Sequence, residues 1–150
     1  MAKKAYAFEL KNDQSELEHL CHKCEELGKS VGLSDKSIFE MNLALDELFT
    51  NIISYGFQDH REHIIKIKIT VDDLYLLMRI EDDGIPFNPL ESETPDLQCD
   101  LEKCQIGGLG IHLIKKMMDD VQYQRIAGKN VIFLKRKISP QPEQGMTSKK

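Results

Sequence analysis

Apolar and polar positions alternate over residues 5–10, AYAFEL, and predict a short strand. From 13 to 31 the apolar positions Leu17, Leu20, Cys24, Leu27 and Val31 recur at helical spacing, after the cap candidates Asn12 and Asp13 and before Gly32. A second helix is predicted from a cap at Ser34 or Asp35 to about Gly56, with Leu43, Leu45, Leu48, Phe49, Ile52 and Ile53 as its buried stripe. Strands over 63–71 and 74–82 follow, joined in a hairpin at Asp72-Asp73. Beyond Gly110, IHLIKKMMDD predicts a third helix, and VQYQRIAGKNVIFLKRKI a closing hairpin that turns at Gly128-Lys129-Asn130. Residues 139–150, SPQPEQGMTSKK, read as a disordered tail, which leaves one domain over 1–138. Strands that meet through hairpins, with helices grouped between them, predict an α+β fold. It would be a two-layer sandwich with a mixed, mostly antiparallel sheet and its helices on one face.

Three interruptions of this pattern carry the candidate chemistry. Within LALDELFTNIISYGF, residues 43–57, Glu47 and Asn51 lie four apart and so share one face of the second helix, with Asp46 and Thr50 beside them. The strand over 74–82 runs into EDDGIPFNP, where Asp82 stands at the strand end. Asp-Gly suits a tight hairpin, yet Pro86 and Pro89 prevent a central strand after it, so Gly84 reads as a point of close backbone approach. The third helix is entered through GGLG, whose unobstructed N–H groups at a positive helix end suit phosphate. Between the last two lie the 22 residues Ile85 to Ile106, with three prolines and five acids, the length and composition of a functional lid.

Composition narrows the class. At 150 residues, 41% hydrophobic and 30% charged, the chain is sized for one globular domain with a real core. A net charge of −5 argues against nucleic acid as the main partner. No apolar run is long enough to span a membrane, and the N-terminus has no leader-like segment, so the expectation is a cytoplasmic protein with no membrane partner. Cys21, Cys24, Cys99 and Cys104 are read as structural or incidental thiols ahead of a zinc site, because Cys24 falls on a helical core stripe. The five histidines are assigned no chemistry. P-loop and ordinary protein-kinase motifs are absent.

Taken in order, LDELFTNIISYGF, DDGIPFNP and GGLGIHLI resemble the N, G1 and G2 boxes of GHKL-type ATPase domains, the Bergerat fold. Within that superfamily the chain is most similar to anti-sigma-factor serine/threonine kinases of the RsbW type, over roughly residues 5–137. The resemblance implies ATP and Mg²⁺ as cofactors. Asn51 would ligate Mg²⁺, a hard cation that takes few protein oxygens. Glu47 would be the catalytic general base, Asp82 would accept from the adenine amino group, and Gly84 would allow close approach beside the base. Phe87 and Leu109 would join the nucleotide site, while Gly107, Gly108 and Gly110 cradle the phosphates and hinge the lid. It further implies a kinase that phosphorylates a STAS-domain antagonist, holds a sigma factor and forms a homodimer. The alternative is an ATP-binding interaction module with little or no kinase activity. Pro86 follows the anti-sigma form of the second box. Tyr55 stands where many relatives carry histidine, and Lys103 is the one basic side chain seen in the lid.

Overall fold

The computed structural model describes residues 3–91 and 107–138, with the backbone alone at 107–109. Its order is β1 (Lys4–Lys11), α1 (Leu17–Ser30), α2 (Asp35–Tyr55), β2 (Ile64–Val71), β3 (Tyr75–Asp82), α3 (Gly107–Met117), β4 (Asp120–Ile126) and β5 (Lys129–Lys137). Short 3-10 turns at Gln14–Glu16 and Pro89–Glu91 complete it. The expected tail and most of the expected lid, Lys103, Cys99 and Cys104 included, lie outside the described residues.

Five strands form one sheet in the order β1-β2-β3-β5-β4, and every pairing is antiparallel. The mixed sheet expected from the sequence is resolved by β5. The chain crosses from β3 to the edge strand β4, then returns through a hairpin so that β5 inserts between them, antiparallel to both. On one face Leu10, Ile65, Ile67, Ile69, Leu76, Met78, Ile80, Ile132 and Leu134 pack against the helices. From the helices come Leu20, Cys24, Met41, Leu45, Leu48, Phe49, Ile52, Ile111 and Ile114. Cys24 therefore belongs to the core, as its stripe predicted, and burial pushes its thiol up to about 12. On the other face long basic side chains lie along the sheet, Arg79 over the Phe133 ring and Lys135 over Tyr75.

Local signals set the ends of α1 and α2. Asp13 caps the 3-10 turn that leads into α1, and Gly32, at φ +79°, follows the helix end in a conformation that favours glycine. For α2 the cap is Ser34, whose hydroxyl accepts from the Ser37 N–H at 3.1 Å. Two expectations shift. The GGLG segment forms the first turn of α3 instead of preceding it, and the last hairpin turns at Ala127-Gly128, which moves Asn130 into β5.

Arg136 joins three elements, pairing with Glu40 of α2 and donating to the Met117 carbonyl at the end of α3 at 3.1 Å. In the Ala127-Gly128 turn both central residues have positive φ, +51° and +79°, the requirement of a type I′ turn. Alanine is a poor residue there, since the left-handed region costs roughly 1–2 kcal/mol for a side chain that cannot bond locally. Ala127→Asn is expected to raise the thermal unfolding midpoint by about 2–4 °C, read by circular dichroism.

Candidate functional site

Glu47 and Asn51 meet on α2 as the four-residue spacing predicts. The Asn51 Nδ2 donates to the Glu47 carbonyl at 2.8 Å and to its Oε2 at 3.1 Å. With the amide nitrogen committed, Oδ1 is the end of Asn51 that can ligate a cation. Beside them Thr50 reaches Asp46 at 3.4 Å. Partial burial raises the Glu47 pKa above the ordinary carboxylate range, and the neighbouring Asp46 adds to this against the Asn51 hydrogen bond.

Gly110 of α3 lies directly on Glu47: a Cβ added there would fall 2.1 Å from the Glu47 Cδ. The first turn of α3, with Gly107, Gly108 and Gly110, thus reaches the acid of α2, and a methyl group at Gly110 would force the Glu47 carboxyl to move. The Leu109 side chain lies outside the described atoms.

Asp82 closes β3 and is 3% exposed. Its Oδ1 accepts from the Gly84 N–H at 2.8 Å and from Asn130 Nδ2 at 3.0 Å. These bonds leave Oδ2 as the atom nearest to hand for a ligand's donor. Burial raises the Asp82 pKa, opposed by the Asn130 and Gly84 hydrogen bonds. Gly84 is a point of close backbone approach, as the sequence predicted. Its close neighbour is the protein itself, since an added Cβ would lie 2.1 Å from the Gly56 carbonyl oxygen, which also accepts from the Ile85 N–H at 2.8 Å. The turn after β3 is therefore stapled to the C-terminal end of α2. Phe87 follows it, its ring tilted against exposed Tyr55 with centroids 6.0 Å apart.

Asn130 is the residue that sequence reading missed. It is 1% exposed, donates to Asp82 and to the Ile85 carbonyl (2.8 Å), and accepts from the Phe87 N–H, the Tyr123 hydroxyl and Arg125 Nη1. Arg125 also donates to the Gly84 carbonyl at 2.9 Å. The signal lay in register: with the turn at Ala127-Gly128, Asn130 pairs with Asp82 and shares the inward face of Ile132 and Leu134.

The pieces line up along α2. Glu47 and Asn51 share one helix face, α3 meets it at Glu47, and the Asp82 turn meets the helix end at Gly56. From Glu47 to Gly56 the helix advances roughly 13 Å, comparable with the span from base to terminal phosphate of an extended nucleoside triphosphate. A neutral amide oxygen, a glycine-rich helix N-terminus and a buried carboxylate suit Mg²⁺, phosphate and an exocyclic amine respectively.

Comparison with known proteins identifies the family and the fold. The sequence model of the histidine kinase-like ATPase domain matches residues 10–136. The chain is 29% identical over 114 residues to the serine-protein kinase RsbW of Listeria monocytogenes, covering 73% of this chain and 72% of that one. It is 28% identical over 103 residues to the serine/threonine-protein kinase BtrW of Bordetella bronchiseptica, covering 69% and 72%. Against the anti-sigma F factor of Bacillus subtilis it is 28% identical over 82 residues, or 55% of this chain and 56% of that one. In structure it resembles the Acinetobacter baumannii histidine kinase AdeS, with a TM-score of 0.50 and 16% identity over 92% of this chain and 69% of that one, a likeness of fold.

Two substitutions test the local account. Gly84→Ala drives a methyl into a backbone carbonyl and is expected to cost ~2–3 kcal/mol in urea unfolding. Asp82→Asn keeps an oxygen for Gly84 and Asn130 but removes the buried charge. Because the folded pKa of Asp82 is raised, the native state binds its proton more readily, and wild-type stability falls as pH rises through that pKa. The variant should therefore be more stable than wild type at pH 7, with the gap closing below about pH 4, near the ordinary aspartate value.

Proposed function

The chain belongs to the histidine kinase-like ATPase domain family, and from that membership we propose a Mg-ATP-dependent protein-serine/threonine kinase that also acts as an anti-sigma factor. Its substrate would be a STAS-domain antagonist in a bacterial partner-switching circuit, and its working form a cytoplasmic homodimer. The names carried by its relatives, serine-protein kinase and anti-sigma F factor, support the two halves of this reading. The observation that carries it is the line along α2, with a base-binding carboxylate at one end, a phosphate-suited helix start at the other, and Asn51 between.

Bound ATP would supply the γ-phosphoryl group. Asp82 accepts from the adenine amino group, a donor that guanine lacks at the equivalent position. The Asn130 bonds hold that carboxylate in place, and Phe87 with Tyr55 forms the aromatic rim. Asn51 Oδ1 would ligate Mg²⁺, and the N–H groups of the first α3 turn would hold the phosphates. Glu47 would receive the proton of the target hydroxyl as the hydroxyl oxygen bonds to the γ-phosphorus, the bond to the β–γ bridging oxygen breaks and ADP leaves. Its raised pKa brings it nearer the working pH than an ordinary glutamate, and in phosphoryl transfer orientation of the nucleophile matters more than basicity.

Titration calorimetry with a non-hydrolysable ATP analogue is expected to give micromolar, adenine-selective binding. That binding should weaken about tenfold or more without Mg²⁺ and in Asn51→Ala and Asp82→Asn. Absence of binding by folded protein would refute the nucleotide reading. With a purified STAS-domain protein as acceptor, Glu47→Gln should lower the transfer rate about 10²–10⁴-fold while affinity changes little. The acidic limb of the wild-type rate profile should lie above the ordinary glutamate value of about 4.3. Transfer that is absent in wild type, with binding intact, would leave an ATP-dependent interaction module.

A further inference from the structure

The connection from α2 to β2 and the turn after β3 meet at a side chain that nucleotide binding does not use. His63, just before β2, places Nε2 2.8 Å from Asp59 Oδ1 and Nδ1 2.9 Å from Asp83 Oδ1. Its ring stacks on Phe57 with centroids 4.4 Å apart, and 16% of the side chain is exposed. The backbone beneath is fixed as well. The His63 N–H donates to Asn12 Oδ1 at 2.9 Å, and its carbonyl accepts from the Asn12 N–H at 3.0 Å.

An ionised carboxylate only accepts hydrogen bonds, and a neutral imidazole has one N–H. Two carboxylates on the two ring nitrogens therefore require both to be protonated. As the imidazolium, His63 makes two charge-assisted bonds. As neutral imidazole it would turn a lone pair toward one carboxylate and leave both negative charges uncompensated. The hydrogen bond to Asp59, then that to Asp83, hold its pKa above the ordinary histidine value against partial desolvation. Other charges surround the pair. Arg61 faces Asp59, while Glu62, Lys66, Glu81 and Lys129 line the hollow beside His63 and Asp83. Of these, Lys129 is held by Glu81, and Glu62 by Lys11 from β1. Asp83 adjoins Asp82, so the clamp acts one residue from the carboxylate assigned to the base.

We propose that His63 is a positioning residue whose imidazolium ties the Asp82-Asp83-Gly84 turn to the α2–β2 loop, so that the turn loosens and adenine-nucleotide affinity falls as pH rises. The second half rests on the nucleotide reading of Asp82; the clamp does not.

The test follows the His63 ring and the Gly84 and Ile85 amides by NMR from about pH 5.5 to 9, spanning the histidine range. Calorimetry with a non-hydrolysable ATP analogue is run over the same range on wild type, His63→Gln and Asp83→Asn, each checked for folding by its amide spectrum. His63 is expected to titrate above about 6.5, its ordinary value, with both amides moving at the same midpoint. Asp83→Asn should lower that midpoint. Wild-type affinity should fall about three- to tenfold more across the titration than that of His63→Gln, as loss of a charge-assisted bond implies. The comparison with His63→Gln removes the titrations of Glu47 and of the nucleotide phosphates. A midpoint at or below the ordinary value, amides that ignore His63, or equal pH dependence in His63→Gln would overturn the proposal. Amides that follow His63 in a protein that binds no nucleotide at any pH would uphold the clamp and refute the base-binding role of Asp82.

Discussion

Gly56 and Gly84 bring two backbones together with no side chain between them, and the position of Asp82 relative to α2 follows from that contact. Close approach lets the Gly56 carbonyl accept from Ile85, which fixes the turn after β3 against the end of α2. Asp82 is then held at the end of a helix that already carries Asn51 and Glu47 on one face. A second glycine contact, Gly110 on Glu47, sets α3 at the far end of the same line. At Gly84 a methyl group would occupy space that main chain already fills, and at Gly110 it would displace the Glu47 carboxyl.

The buried charges show what such a site costs the fold. Asp82 and Glu47 both have pKa values raised chiefly by burial, so each resists the ionised state in which it would be used. Hydrogen bonds offset part of that cost, from Asn130 and Gly84 at one acid and from Asn51 at the other. The same bonds that make ionisation tolerable also orient the carboxyl groups. Stability and positioning are here two effects of one network, and Asn130 contributes most to it.

Much of this was legible in the sequence because it was local. Helical spacing placed Glu47 beside Asn51, a serine before the α2 stripe marked its start, and proline after Asp-Gly excluded a hairpin. What escaped was long-range or hung on a one-residue shift. Reading the last turn one position too far along put Asn130 in a loop, although in β5 it faces Asp82 across the sheet. Close approach at Gly84 was legible, but its neighbour Gly56 was not, because only the tertiary fold brings the two together. His63 looked like an ordinary loop histidine, since its two carboxylate partners come from separate segments.

The insertion of β5 between β3 and β4 has a consequence for the order in which the molecule can be made. Asp82 and Asn130 are 48 residues apart, and the strand that supplies Asn130 is synthesised after every other described element. During translation β3 must wait with one edge unpaired until residues 129–137 are available. Closing that long loop completes the sheet and braces the buried carboxylate in a single event. A half-made chain therefore cannot hold the Asp82 carboxylate in its final arrangement, which arrives together with the completed sheet.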